Sequence, residues 1–237
     1  GTVSDYTPKS AFLEFGSTSI KLYVVGLSGD TAGQVEQEIK IPWSLGYDVF
    51  QHARISPRSV QTCVDTLRRF REDFPEVAFD SVTAVGTSAL REAQNGEVFI
   101  RVLREQHGIR VHIIEGGIEA FLLETGFRDA IEEYPTGLFD LGGGSLELVE
   151  YLTPYSTKKT SLPVGAIRLH CRLHHTRDLF AYITEGRRLV RETLLEHLSG
   201  ESLQYRTLIG TGGTVRALVQ IVGCEQFTES DVRDVLE

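Results

Sequence analysis

Two short segments carry the residue types that grip phosphate. Leu13–Leu22 reads LEFGSTSIKL and Phe139–Leu148 reads FDLGGGSLEL, 126 residues further on. Each has an apolar residue, an acid (Glu14, Asp140), an apolar residue, a glycine, two small residues, a serine and the start of an apolar run. The turns are Gly16–Ser17–Thr18–Ser19 and Gly142–Gly143–Gly144–Ser145. Glycine allows close backbone approach and positive φ. Successive N–H groups in such a turn form an anion-binding nest, and the serine hydroxyl adds a donor. The acid ahead of each turn can hold Mg²⁺ directly or through water, because hard cations take oxygen ligands. One such turn alone reads equally well as a flexible hairpin; two copies with the same preceding acid point to phosphate. A third glycine turn, Thr211–Gly212–Gly213–Thr214, stands between a strand and a helix N-terminus, where anions are attracted.

Other reactive side chains are less organised. His170, His174 and His175 cluster with Cys171, a set able to bind a metal. His174 and His175 are adjacent, however, and point apart on regular structure, so the segment reads as polar surface. Cys63, Cys171 and Cys224 are odd in number and far apart, which excludes a disulfide framework or a zinc knuckle and leaves free, buried thiols.

The elements that must position these residues follow from periodicity. Ala11–Phe15 and Ile20–Val25 form a hairpin about the first turn, and Glu36–Ile41 a further strand. A helix is N-capped near Ser56, ahead of Pro57, and runs to Phe74. Asp80–Gly86 is a strand, Ala93–His107 a helix, Val111–Ile114 a strand and Ile118–Phe127 a helix. Gly137–Leu141 and Leu146–Tyr151 repeat the hairpin about the second turn. Thr160–Pro163 and Leu208–Gly210 are strands. Leu179–Leu198 is a long helix with Arg187, Arg188 and Arg191 on its polar side; another helix runs from the third glycine turn to Val222, and a last one begins at Glu229, capped by Thr228. Alternating strands and helices predict an α/β fold. The repeat predicts two like lobes, residues 1–125 and 126–237, with their hairpins facing across a cleft.

The chain has 237 residues, 41% hydrophobic and 24% charged, with net charge −9. That composition is ordinary globular material. No basic face for nucleic acid is visible, no apolar stretch approaches a membrane span, and Gly1–Ser10 lacks a signal-peptide core. The expectation is a cytoplasmic protein without nucleic-acid or membrane partners. The chain has no methionine and ends at Val235–Leu236–Glu237 inside a helical pattern, which suggests a truncated chain.

Six segments in order resemble the exopolyphosphatase/guanosine pentaphosphate phosphohydrolase family. They are Leu13–Leu22, Ala84–Asn95 (AVGTSALREAQN), Ile113–Ala120 (IIEGGIEA), Leu138–Val149 (LFDLGGGSLELV), Ser161–Leu169 (SLPVGAIRL) and Ile209–Leu218 (IGTGGTVRAL). The resemblance implies the two-lobed, duplicated actin-like ATPase (ribonuclease H-like) fold. It also implies Mg²⁺-dependent hydrolysis of a terminal phosphoanhydride in polyphosphate or guanosine pentaphosphate, which present the same terminal group. It further implies homodimerisation, and continuation of the second lobe beyond Glu237. Glu119 takes the place of the family's catalytic base and Arg91 that of its phosphate-contacting arginine. On the residues alone, Glu119 reads as a helix-start glutamate favourable to the helix dipole. Asp140, Glu14 and Glu147 are the expected metal carboxylates, and the Gly16–Ser19, Gly142–Ser145 and Gly212–Gly213 turns the expected substrate contacts. Three departures stand out: Glu14 where the family has Asp, Thr18 for Asn, and Ile118 for the first glutamate of the family's pair. They keep open a catalytically weakened phosphate- or nucleotide-binding regulator. A sugar-kinase-like phosphotransferase is the other reading of the same superfold.

Overall fold

The computed structural model describes residues 7–198 and 204–236. Two compact units emerge, Gly1–Glu115 and Gly116–Glu237. Unit one holds strands β1 (Lys9–Phe15), β2 (Ser19–Gly26), β3 (Val35–Pro42), β4 (Thr83–Gly86) and β5 (Arg110–Ile113). Its helices are α1 (Leu45–His52), α2 (Pro57–Asp73), α3 (Ser88–Glu92) and α4 (Gly96–His107). Unit two opens with α5 (Gly116–Phe127). Then come β6 (Thr136–Leu141), β7 (Leu146–Thr153), β8 (Ser156–Leu162), α6 (Ala166–Leu173), α7 (Leu179–His197), β9 (Thr207–Thr211), α8 (Gly213–Val222) and α9 (Glu229–Leu236).

The sheet orders are β3-β2-β1-β4-β5 and β8-β7-β6-β9. Strand for strand, the second reproduces the first four positions of the first, with an antiparallel hairpin flanked by a parallel strand. The hairpin registers coincide at the 126-residue offset: Glu14 faces Lys21, and Asp140 faces Glu147. Both turns close with the same bond, from the glycine N–H to the serine carbonyl, at 3.0 Å for Gly16–Ser19 and for Gly142–Ser145. The duplication read from sequence is therefore a duplication of backbone structure.

The boundary expected between residues 125 and 126 falls inside α5. This helix packs on β7 and β8, so the division lies ahead of Gly116. Three other expectations change. The helix expected from Ala93 starts at Gly96, with a separate short helix, α3, ahead of it; between them Asn95 leaves the helical path to bond Ile55: its side-chain oxygen accepts from the Ile55 N–H (2.8 Å) and its amide donates to the Ile55 carbonyl (3.1 Å). The strand from Asp80 starts at Thr83, after a 3-10 turn at Phe79–Ser81. His170, His174 and His175 are exposed, in keeping with polar surface, while the segment lies mostly in α6, which buries Cys171 and Leu173. Of the three thiols, Cys63 and Cys171 are buried but Cys224 is exposed. Burial pushes the Cys63 and Cys171 thiols up, which keeps them protonated and inert.

The first turn rests on a hard floor. Alternate residues of β1 and β2, Leu13 and Phe15 with Ile20, Leu22 and Val24, are fully buried, as the two-residue strand period requires. The Phe15 ring meets Trp43 edge-on at 5.7 Å and Phe99 at 6.4 Å, an arrangement favoured by ring quadrupoles. Among the described residues, no helix is long and apolar enough to cross a membrane.

Candidate functional site

The site residues fall into two sets, one in each unit. In unit one the Gly16–Ser19 turn lies beside the end of β4, which runs parallel to β1 with Phe15 opposite Gly86. Ser17 and Ser19 are buried, and the Ser17 hydroxyl is 3.4 Å from that of Ser88 at the start of α3. Glu14 looks across the hairpin at Lys21, Oε2 to Nζ 4.0 Å. Arg91, half-buried on α3, donates to the Ile114 carbonyl and lies 3.9 Å from the exposed Glu115 carboxylate.

Unit two is more concentrated. Asp140 and Glu147 are cross-strand partners, so their carboxylates share one face of the β6–β7 hairpin. Glu147 is buried and accepts a hydrogen bond from the Ser161 hydroxyl at 3.0 Å. On the other flank, β9 runs parallel to β6 with Thr211 opposite Asp140. Gly212 then takes φ 102° and ψ 170°, a conformation open essentially to glycine alone. A Cβ there would stand 2.5 Å from the Leu141 carbonyl oxygen and 2.6 Å from Asp140 Oδ1. The third glycine turn thus brings the start of α8 directly against the Asp140 carboxylate.

Glu119 enters from α5. A Cβ on Gly116 would lie 2.2 Å from Ser161 Oγ, so the start of α5 sits on the same serine that holds Glu147. Glu119, half-buried, is three residues on, on the neighbouring turn of that helix face. α5 is fastened further along by Glu124, which is buried. Lys159 Nζ is 2.6 Å from Glu124 Oε2, the Thr157 hydroxyl donates to Oε1 at 2.9 Å, Arg128 pairs with Oε1, and the Tyr151 hydroxyl donates to the Glu124 carbonyl at 2.7 Å.

Burial works to raise the Glu124 carboxyl, but the Lys159 and Thr157 hydrogen bonds and the Lys159 and Arg128 charges outweigh it and hold the group below its ordinary 4.5. A depressed carboxylate contributes stability above the unfolded-state value and loses it as pH falls through the folded one. The urea midpoint of the protein is therefore expected to fall as pH drops below 4.5. In Glu124→Gln that acid-dependent part should be missing, and an unchanged pH profile in this variant would contradict the assignment.

The glycine turns differ from expectation in one respect. Gly16, Gly142, Gly143 and Gly144 all lack positive φ, so the nest is not made by left-handed residues. The next segment of chain orients it instead. In unit two the N–H groups of Ala166, Ile167 and Arg168 donate to the carbonyls of Gly142 (3.1 Å), Gly143 (2.9 Å) and Gly143 (3.0 Å), and Arg168 Nε donates to the Gly144 carbonyl at 2.7 Å. In unit one the N–H of Gly46 holds the Ser17 carbonyl and that of Trp43 the Thr18 carbonyl, both at 2.8 Å. A trans peptide points its N–H opposite to its C=O. With the carbonyls drawn to α6, or to Trp43 and the start of α1, the N–H groups of Gly143, Gly144 and Ser145, and of Thr18 and Ser19, are turned the other way. Gly165 makes the fit possible, since a Cβ there would lie 2.4 Å from the Gly143 oxygen. Sequence periodicity does not mark α1 or α6, and Arg168, Ser161 and Gly165 stand out in the sequence only as part of the segment Ser161–Leu169.

Among the described residues no three His, Cys, Asp or Glu side chains are grouped to hold a metal ion. The Asp140–Glu147 pair nonetheless suits Mg²⁺, which binds through one or two carboxylates, substrate phosphate oxygens and waters. Glu14 lies on the other hairpin, engaged with Lys21.

Comparison with known proteins places the chain in a family and a fold. The chain is 26% identical over 230 residues to a guanosine-5'-triphosphate,3'-diphosphate pyrophosphatase of Photobacterium profundum, covering 94% of this chain and 45% of that protein. It is 30% identical over 228 residues to exopolyphosphatase 2 of Mycobacterium tuberculosis, covering 88% and 69%. The first curated relatives are longer proteins, of which the chain spans 34% and 45%. The crystal structure of an exopolyphosphatase from Cytophaga hutchinsonii superposes with TM-score 0.75 at 25% identity, over 90% of this chain and 70% of that one. The fold is the duplicated α/β fold of the actin-like ATPases. A profile of the Ppx/GppA phosphatase family matches residues 31–234, and with the paired glycine turns and the Asp140–Glu147 hairpin in place the chain belongs to that family.

Proposed function

We propose that the protein hydrolyses a terminal phosphoanhydride bond, in inorganic polyphosphate or in guanosine pentaphosphate, by attack of water on the terminal phosphorus. The observation that carries the reading is the Gly142–Ser145 turn, whose carbonyls are held by α6 so that its N–H groups are turned away from that helix, in the hairpin that also carries two carboxylates on one face. Phosphoryl transfer is chiefly positioning and charge stabilisation, and this arrangement suits both. The turn N–H groups hold the terminal phosphate oxygens. Glu119 orients the attacking water and takes its proton. Asp140 and Glu147 would hold Mg²⁺, which when bound neutralises phosphate charge. Ser161 fixes the Glu147 carboxylate by its hydrogen bond. The Gly16–Ser19 turn and Arg91 form a second phosphate-binding set, the planar guanidinium being suited to two non-bridging oxygens.

The test is phosphate release from each substrate by the purified protein. Release is expected with Mg²⁺ and is expected to fall to background after chelation and return when Mg²⁺ is restored. If neither substrate yields phosphate, the hydrolase reading is overturned. The Glu14–Lys21 pairing and Ile118 favour the regulator as second reading, and tight binding of guanosine pentaphosphate without turnover would select it.

A further inference from the structure

We infer that Arg168 is a positioning residue for the phosphate turn, setting the last peptide plane of the nest. The inference rests on the phosphate-binding role given above to Gly142–Ser145 and names a residue which that role requires. Three peptide planes make the turn. The carbonyls of the first two, Gly142 and Gly143, accept backbone N–H groups from the start of α6. The third, Gly144, is held by Arg168 Nε at 2.7 Å. In unit one backbone N–H groups hold the Ser17 and Thr18 carbonyls, the Thr18 carbonyl accepting from the Trp43 N–H at 2.8 Å. At the 126-residue offset Thr18 corresponds to Gly144, so a side chain in unit two does what a main-chain group does in unit one.

The consequence is local and directional. A trans peptide with its carbonyl drawn toward Arg168 presents the following N–H, that of Ser145, on the opposite side. Gly144 has no side chain to resist rotation of that plane, so without Arg168 the plane is free to turn and withdraw a donor. The half-buried guanidinium also adds positive charge behind the turn. It acts through Gly144 and the peptide dipole, without contact to the phosphate.

Arg168→Met keeps the length of the stem and removes the donor; Arg168→Lys keeps the charge but not the planar Nε–H. Misplacing a positioning group by about 1 Å can cost about 10²-fold in rate, so Arg168→Met is expected to lower kcat/KM about 10- to 100-fold in a protein that still folds. Guanidinium ion at low millimolar concentration is expected to restore part of the rate in Arg168→Ala, a rescue that a merely structural arginine would not show. An independent arm follows the Ser145 amide in ¹⁵N spectra during titration with inorganic phosphate. In wild type it shifts and saturates; in Arg168→Met it should shift less, with Gly143 nearly unchanged. Equal kcat/KM in folded wild type and Arg168→Met, or equal Ser145 shifts, overturns the inference. A wild type that binds phosphate at Ser145 but hydrolyses neither substrate sinks the hydrolase reading and leaves the amide arm to decide on Arg168. If Arg168→Met fails to fold, Arg168→Lys carries the same comparison, with a smaller loss expected and no loss overturning the inference.

Discussion

Glu119→Gln is expected to lower kcat for phosphate release by about 10²- to 10⁴-fold, the contribution typical of a positioned general base, with little change in KM. The amide keeps the size and polarity of the carboxylate but cannot take a proton. Glu119 sits in the first turn of α5, where a negative charge is favoured by the helix dipole. Some loss of helix stability, a few tenths of a kcal/mol on that account, should be visible in urea unfolding and is too small to explain the kinetic effect. Steady-state phosphate release and urea midpoints on the same preparations separate the two. A kcat within threefold of wild type would remove Glu119 from the chemistry and leave only its role at the helix start.

Gly165→Ala is expected to have an effect as large through packing alone. The added methyl would lie 2.4 Å from the Gly143 oxygen, 2.5 Å from its carbonyl carbon and 2.5 Å from the Gly144 nitrogen. All three are main-chain atoms, so no side-chain rotation relieves the contact; α6 or the turn must move. Overpacking of this kind costs about 1–3 kcal/mol, and displacement of positioning groups by about 1 Å can cost 10²-fold in rate. The expected result is a folded protein with a lower thermal midpoint and a kcat/KM reduced by about 10²-fold or more. Gly126→Ala is the control: nothing lies within 4 Å of its methyl, and it should keep full activity. Should Gly165→Ala match the control in both measurements, α6 does not hold the turn.

Both predictions rest on features of unequal legibility. The hairpins were readable because alternating apolar residues and a glycine turn suffice to define them; the structure returned their four strands with ends shifted by at most two residues. α1 and α6 were missed because eight residues give barely two helical turns, too few for periodicity to register. What holds their first turns is tertiary: the N–H groups of Gly46, Ile167 and Arg168 find partners in carbonyls of turns some two dozen residues earlier. The break between α3 and α4 had the same origin, since Asn95 bonds to Ile55, forty residues away. Gly165 and Gly116 looked like ordinary glycines until the atoms their Cβ would strike were known, Gly143 for one and Ser161 for the other.

Residue type and spacing by themselves determined the chemistry on offer: two glycine–serine turns, each behind an acid, and the duplication that relates them. Those are local properties, set by alternation, by glycine and by charge. The tertiary structure alone decided which way the turns face and which acids share a surface. A peptide plane in a glycine turn rotates with little resistance, so its direction comes from acceptor–donor pairs made with α1 and α6. Asp140 and Glu147 became one set, while Glu14 met Lys21, because cross-strand register places side chains opposite one another and the residue opposite is an acid in one hairpin and a cation in the other.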